Sequence, residues 1–153
     1  MSTTSVELMP GDVALGLAGD QLKTLLGSCV SVILTDPRRT VGTMCHIVHV
    51  GRPNAENLHN TAYGQVAMHD MFKRLRKIGV TPHMCQAYVY GGGNMFPAMV
   101  VKRAVGYSNA DWVLDYLHHH HIVVVEQDLG GIGYRKVSWT VGPAAPLVET
   151  VAP

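Results

Sequence analysis

Alternation of apolar and polar positions dominates the first third of the chain. "GDVALGLAG" (11–19) and "QLKTLL" (21–26) read as short candidate strands. "CVSVILTD" (29–36) is a stronger one, because Val30, Val32 and Leu34 fall on one face by period two. "DPRRTVG" (36–42) has the Asp-Pro and Gly content of a turn, and "TMCHIVHV" (43–50) is a further β run. The two runs are close in sequence, so they are predicted to pair as an antiparallel hairpin.

The pattern changes after a polar loop at 51–60. Across 61–78, apolar Ala67, Met71, Leu75 and Ile78 recur at helical spacing, with Lys73, Arg74, Arg76 and Lys77 toward the C-terminal end and Gly79 as the stop. "HMCQAYVYGGGN" (83–94) is a strand running into a glycine loop. Ser108 or Asn109 is placed to cap a second helix, "ADWVLDYLHH" (110–119). "HIVVVEQD" (121–128) is nearly continuous in apolar residues, the pattern of a central strand. "GGIG" (130–133) is a turn before "YRKVSWTV" (134–141). The last segment, 143–153, is proline-rich and reads as a flexible tail. These elements predict one α+β domain over 1–142, a sheet with flanking helices.

Composition narrows the function classes. The chain has 153 residues, enough to bury a core without disulfide or metal staples. Hydrophobic residues make up 47% and charged residues 15%, a globular balance. A net charge of +1 gives no basic surface for nucleic acid or anionic membrane. No apolar run reaches membrane-span length, and "MSTTSVELMPGD" has no basic segment leading into an apolar one, so neither insertion nor a secretory leader is expected. Three cysteines do not make a disulfide framework; a reducing cytoplasmic setting is expected.

The three thiols differ in context. Cys45 and Cys85 lie inside strand runs, where a buried small residue is the ordinary reading. Cys29 follows Gly27-Ser28, a turn in which glycine permits unusual angles and backbone N–H groups can face a developing oxyanion. The plain alternative is a turn into a strand. A cysteine nucleophile needs a base, and an imidazole is the usual one. Alternation puts Cys45 and His46 on opposite faces, which leaves His46 free to meet Cys29 across the hairpin and puts His49 on the other face. The plain alternative for His46 is a half-buried histidine with a satisfied ring.

Rival chemistries have weaker support. Cys45, His46, His49, His59, His69, His83 and Cys85 form no CxxC or HExxH pattern, so no metal site is expected. His118–His121 sit at a helix–strand junction, where an exposed linker is the simple reading. "YGGGNMF" (90–96) lacks the Lys-Ser/Thr of a phosphate loop. Close approach of its backbone to a substrate or to the Cys29 strand uses three glycines better.

Taken together, "TLLGSCVSVILTDP", "VGTMCHIVHV", "YVYGGGNMF", the helix start near Asn109 and "GGIGYRKVSW" resemble the CheD chemoreceptor glutamine deamidases of bacterial chemotaxis. The segments occur in family order over residues 10–141. The resemblance implies a cytoplasmic cysteine hydrolase with nucleophile Cys29, general base His46, and a threonine that orients the histidine, falling on Thr24. It implies a layered α/β sandwich shared with toxin-type cysteine deamidases. Gly27 and Ser28, with Gly92, Gly93 and Asn94 of the glycine loop, are the expected oxyanion and substrate contacts. Ser108 stands where the family has arginine, and Cys45 replaces the usual non-cysteine before the histidine. The implied reaction turns receptor glutamine into glutamate through a thioester, with methyl glutamate as a second substrate and no metal or organic cofactor. Implied partners are chemoreceptor cytoplasmic domains and a CheC-type phosphatase. A non-catalytic adaptor binding the same partners is the alternative.

Overall fold

Strand β4 (Val30–Thr35) has no exposed residue, as only a strand covered on both faces can. In the computed structural model, which describes residues 3–95 and 105–152 and, of these, no side chain from 105 to 108, β4 is the middle of a five-stranded sheet. The sheet order is β2 (Val13–Leu17), β5 (Val41–Cys45), β4, β6 (Gln86–Gly91) and β7 (Val123–Leu129). A second sheet has the order β1 (Ser5–Leu8), β3 (Gln21–Leu26), β8 (Tyr134–Thr140) and β9 (Leu147–Val151). Both sheets are mixed: β1 runs parallel to β3 and β6 parallel to β7, while the other pairs are antiparallel.

Residue parity along β4 creates the layers. Val30, Val32 and Leu34 join Ala67, Met71 and Leu75 of helix α1 (Gly64–Lys77) and Val113 and Leu117 of helix α2 (Val105–His119) in one buried cluster. Ile33 joins Leu22, Leu26 and Trp139 of the other sheet in a second cluster. The result is an α+β sandwich of sheet, sheet and helices. Among the described residues no helix is long and apolar enough to cross a membrane.

The predicted hairpin forms, with Ile33 opposite Met44, Leu34 opposite Thr43 and Thr35 opposite Gly42. Five expectations need correction. β7 is an edge strand with Val123 and Val125 exposed: valines suit any strand, and the Glu126-Gln127-Asp128 that follow cannot be buried on two faces. The 143–153 segment is not a loose tail. Leu147–Val151 pairs with β8, and the Ala144 carbonyl accepts from the Trp139 indole N–H at 2.9 Å. Helix α2 begins at Val105, so neither Ser108 nor Asn109 caps it; Asn109 lies in its second turn. The "TMCHIVHV" run leaves its strand after Cys45, and Ile78 is exposed at the end of α1. Strand β1 lies outside the runs marked by alternation and proves necessary to the site below.

Candidate active site

Cys29 lies one residue before β4, in the turn that connects the two sheets. The backbone fixes its relation to His46. Val30 N–H donates to the Ile47 carbonyl at 3.1 Å and Ile47 N–H to the Val30 carbonyl at 2.8 Å. This pairing continues the Ile33–Met44 register, so Cys29 and His46 are diagonal neighbours across the two strands. Such neighbours sit about 7–8 Å apart, a separation that an aromatic side chain can span. Both side chains face the inter-sheet layer: Cys29 packs against its apolar cluster, and His46 meets Thr24 of the opposite sheet. Cys45 faces the helices. Alternation therefore separates the two adjacent residues as expected.

Thr24 is buried on the inner face of β3, beside Leu8 in the parallel β1 register. Its hydroxyl donates to the Leu8 carbonyl at 2.8 Å, and its Oγ1 lies 2.8 Å from His46 Nδ1. The hydroxyl has one hydrogen, and a carbonyl can only accept. Thr24 must therefore accept from Nδ1–H. That assignment leaves the Nε2 lone pair of a neutral imidazole as the free base.

The electrostatics favour a neutral resting pair. Burial lowers the His46 pKa, opposed by the Asp12 carboxylate and by the Leu8 carbonyl beside the ring. Burial raises the pKa of the half-buried Cys29 thiol. Neither shift favours a preformed thiolate–imidazolium pair. Cys45 is fully buried with its pKa pushed up to about 12, and Cys85 is raised to about 11 by burial and Asp36. Low exposure and high pKa leave Cys45 inert toward oxidation.

The glycine loop braces the Cys29 turn. Gly92 N–H donates to the Cys29 carbonyl at 2.9 Å, Gly93 N–H to the Gly27 carbonyl at 3.0 Å, and Asn94 N–H to the Gly131 carbonyl at 2.8 Å. Those three amides are engaged, so in this state they are not free to receive an oxyanion. Close approach to the Cys29 strand is the use the glycines serve. Gly91 has φ +112°, and a Cβ there would collide with the Cys29 carbonyl oxygen. The φ of Gly27 is not left-handed, and a Cβ there would press on the flexible Met95 side chain, 3.0 Å from its Sδ. Among the described residues, neither Ser28 nor Cys29 N–H has a hydrogen-bond partner. Arg135, buried between the loops, donates to the Gly91 and Gly130 carbonyls at 3.1 and 2.7 Å and pairs with Asp128.

A family model described as CheD chemotactic sensory transduction matches residues 49–148. This chain belongs to the CheD family. A protein of Albidiferax ferrireducens named "Probable chemoreceptor glutamine deamidase CheD 2" is 36% identical over 138 residues, covering 88% of this chain and 80% of that protein. A Pseudomonas fluorescens relative named "Probable chemoreceptor glutamine deamidase CheD" is 31% identical over 140 residues, covering 90% and 79%. A third such CheD relative, from Dechloromonas aromatica, is 32% identical over 138 residues, covering 89% and 81%. The family-model match begins after His46, so Thr24, Cys29 and His46 lie outside it.

Two other expected features of this CheD chain have plain structural positions. His49 is exposed and packs against Tyr63, with ring centroids 4.9 Å apart. His118, His119 and His121 are exposed at the end of α2, while His120 packs on Tyr116 at 4.3 Å. Among the described residues no cluster of three His, Cys, Asp or Glu side chains could hold a metal ion. Phe96 of the "YGGGNMF" block and the side chain of Ser108 lie outside the described residues. The sequence makes Asn109 a helix cap, but the structure uses it otherwise. Its side chain donates to the Ser28 and Val48 carbonyls, each at 3.4 Å. Asparagine on an otherwise apolar helix face is the available signal.

Proposed function

We propose that this CheD chain is a chemoreceptor glutamine deamidase that works through Cys29, His46 and Thr24. The observation that carries the reading is the Thr24 hydroxyl linking β1 and β3 to His46 Nδ1, which keeps Nε2 basic on the face shared with Cys29.

The chemistry follows. His46 Nε2 takes the Cys29 thiol proton as sulfur attacks the carboxamide carbon of a receptor glutamine. The carbonyl π electrons move to oxygen, which the free N–H groups of Ser28 and Cys29 receive. Collapse breaks the C–N bond, and the His46 imidazolium protonates the departing nitrogen, releasing ammonia and leaving a thioester. His46 then deprotonates water, which adds to the thioester carbon. The C–S bond breaks, Cys29 recovers its proton, and glutamate remains. Thr24 accepts from Nδ1–H throughout and so holds the ring as its charge changes.

Incubation with chemoreceptor cytoplasmic fragments tests the reading. Mass spectrometry is expected to find unit mass gains at particular glutamines with wild type and none with Cys29→Ala. A folded Cys29→Ala protein that still deamidates sinks it, and binding without mass change in wild type favours the adaptor. Cytoplasmic location and a CheC-type phosphatase partner complete the proposal; calorimetric titration with such a phosphatase checks the latter.

A further inference from the structure

Three consecutive carbonyls, those of Gly27, Ser28 and Cys29, each accept a hydrogen bond from outside the turn. Gly93 N–H holds the first and Gly92 N–H the third, both from the glycine loop. The middle one is held from the opposite layer, by the Asn109 side-chain amide of α2. Asn109 is 2% exposed, and its amide also bonds the Val48 carbonyl, so its two donors staple both sides of the Val30–Ile47 pairing.

The consequence lies in peptide geometry. In a trans peptide the N–H points opposite to the carbonyl of the same unit. The Ser28 carbonyl and the Cys29 N–H share one unit. A donor on the helix side that captures the Ser28 carbonyl therefore aims the Cys29 N–H away from α2, toward the layer in which the Cys29 side chain packs. By the same logic Gly93, on the Gly27 carbonyl, sets the direction of Ser28 N–H.

We infer that Asn109 is a positioning residue for the oxyanion site, orienting the Ser28–Cys29 peptide so that the Cys29 N–H faces the carbonyl oxygen of the bound carboxamide. The inference deepens the deamidase reading and rests on it. Asn109 touches no reacting atom; it acts through one peptide plane. His46 cannot do this, because it faces the inter-sheet layer and not the helix side from which the Ser28 carbonyl is held. The glycine loop cannot substitute either, since its amides already hold the flanking carbonyls.

The test separates oxyanion stabilisation from the thiol–imidazole pair. Alkylation of Cys29 by iodoacetamide displaces iodide at a saturated carbon and builds no oxyanion, whereas deamidation builds one in each half-reaction. Asn109→Ala is expected to lower kcat for ammonia release from receptor fragments about ten- to hundredfold, short of the loss on removing a donor outright. KM is expected to stay within about threefold, and the alkylation rate and its pH profile to match wild type. An unchanged kcat overturns the inference, and so does an alkylation rate that falls in parallel, which would place Asn109 behind the dyad instead. Should Asn109→Ala unfold, exposing Cys45 and Cys85 to the reagent, Asn109→Ser carries the test: its shorter hydroxyl cannot bond both carbonyls, and the same two readouts decide. Wild type that releases no ammonia overturns the deamidase reading and this inference with it. Active wild type with an equally active Asn109→Ala overturns this inference alone.

Discussion

Replacing Thr24 by valine keeps the shape of the side chain and removes only its hydroxyl. Two contacts go with it, the 2.8 Å bond to the Leu8 carbonyl and the 2.8 Å bond from His46 Nδ1. The site is 3% exposed, so water does not replace them. Buried groups stripped of a partner cost about 1–3 kcal/mol, which is the expected loss of stability. The catalytic effect is smaller than loss of the base. The imidazole itself stays in place as the base and loses only the hydroxyl that fixed its orientation. One hydrogen bond's worth of orientation, about 1–2 kcal/mol, corresponds to roughly a 5- to 30-fold drop in kcat/KM. Ammonia release from receptor fragments measures it, beside a chemical denaturation curve. Thr24→Ser restores the hydroxyl and is expected within about threefold of wild type, since only a methyl group is lost. A folded Thr24→Val enzyme with wild-type kcat/KM, or a Thr24→Ser enzyme as impaired as the valine variant, refutes the reasoning.

Other expectations follow from the same geometry. Because burial lowers the His46 pKa, kcat/KM is expected to rise with pH through a value below the ordinary 6.5 and to be flat at neutral pH; an acid limb at or above 6.5 contradicts the assignment. The same shift affects stability. The unfolded chain binds this proton first, so the folded state loses stability as pH falls from 6.5 to the lowered value, with a slope of at most about 1.4 kcal/mol per pH unit. His120 is also lowered by burial and contributes its own slope, so the diagnostic is the flattening in His46→Asn relative to wild type, read by denaturation at several pH values. Peptide mapping after brief iodoacetamide treatment of native protein is expected to find label at Cys29 before Cys45 and Cys85, whose thiols are buried with higher pKa values. Gly91→Ala is expected to lose both activity and more than about 1 kcal/mol of stability, because its Cβ meets the Cys29 carbonyl at φ +112°; Gly131→Ala, with open space and φ +68°, bears only the left-handed cost of about 1 kcal/mol and retains activity. Deleting residues 147–152 is expected to lower Tm by several degrees in a thermal melt, because it removes β9 from β8.

What can be read from the sequence is local. The β4–β5 hairpin, the opposed faces of Cys45 and His46, and the burial of Ala67, Met71 and Leu75 all follow from periodicity over a few residues. Cys29 stands out because Gly27 and Ser28 precede it. What escapes depends on contacts distant in sequence. Strand β1 is too short and polar to announce itself, yet its Leu8 carbonyl anchors Thr24 from the neighbouring strand. Thr24 itself comes only from family resemblance, since nothing in "QLKTLL" distinguishes a catalytic threonine from a strand threonine. β7 is misleading because an apolar run gives strand preference without giving position in the sheet. β9 is hidden because prolines obscure the five residues after them that pair with β8. Asn109 resembles a cap because asparagine favours both helix ends and buried amide contacts.

The pairing of β4 with β5 also limits how this gene can vary in length. Cys29, Ile33, Met44 and His46 face one layer and Val30, Val32, Leu34 and Cys45 the other, by parity alone. One codon inserted between Cys29 and Ile33 would turn the Cys29 thiol toward the helices while leaving the rest of β4 in register. One inserted within the exposed Pro37–Arg38 turn would leave every face unchanged. Indels among working descendants of this chain should therefore collect in the turn and be absent from the four residues that follow Cys29, a distribution that a library of random single-codon insertions under selection for deamidation would expose directly.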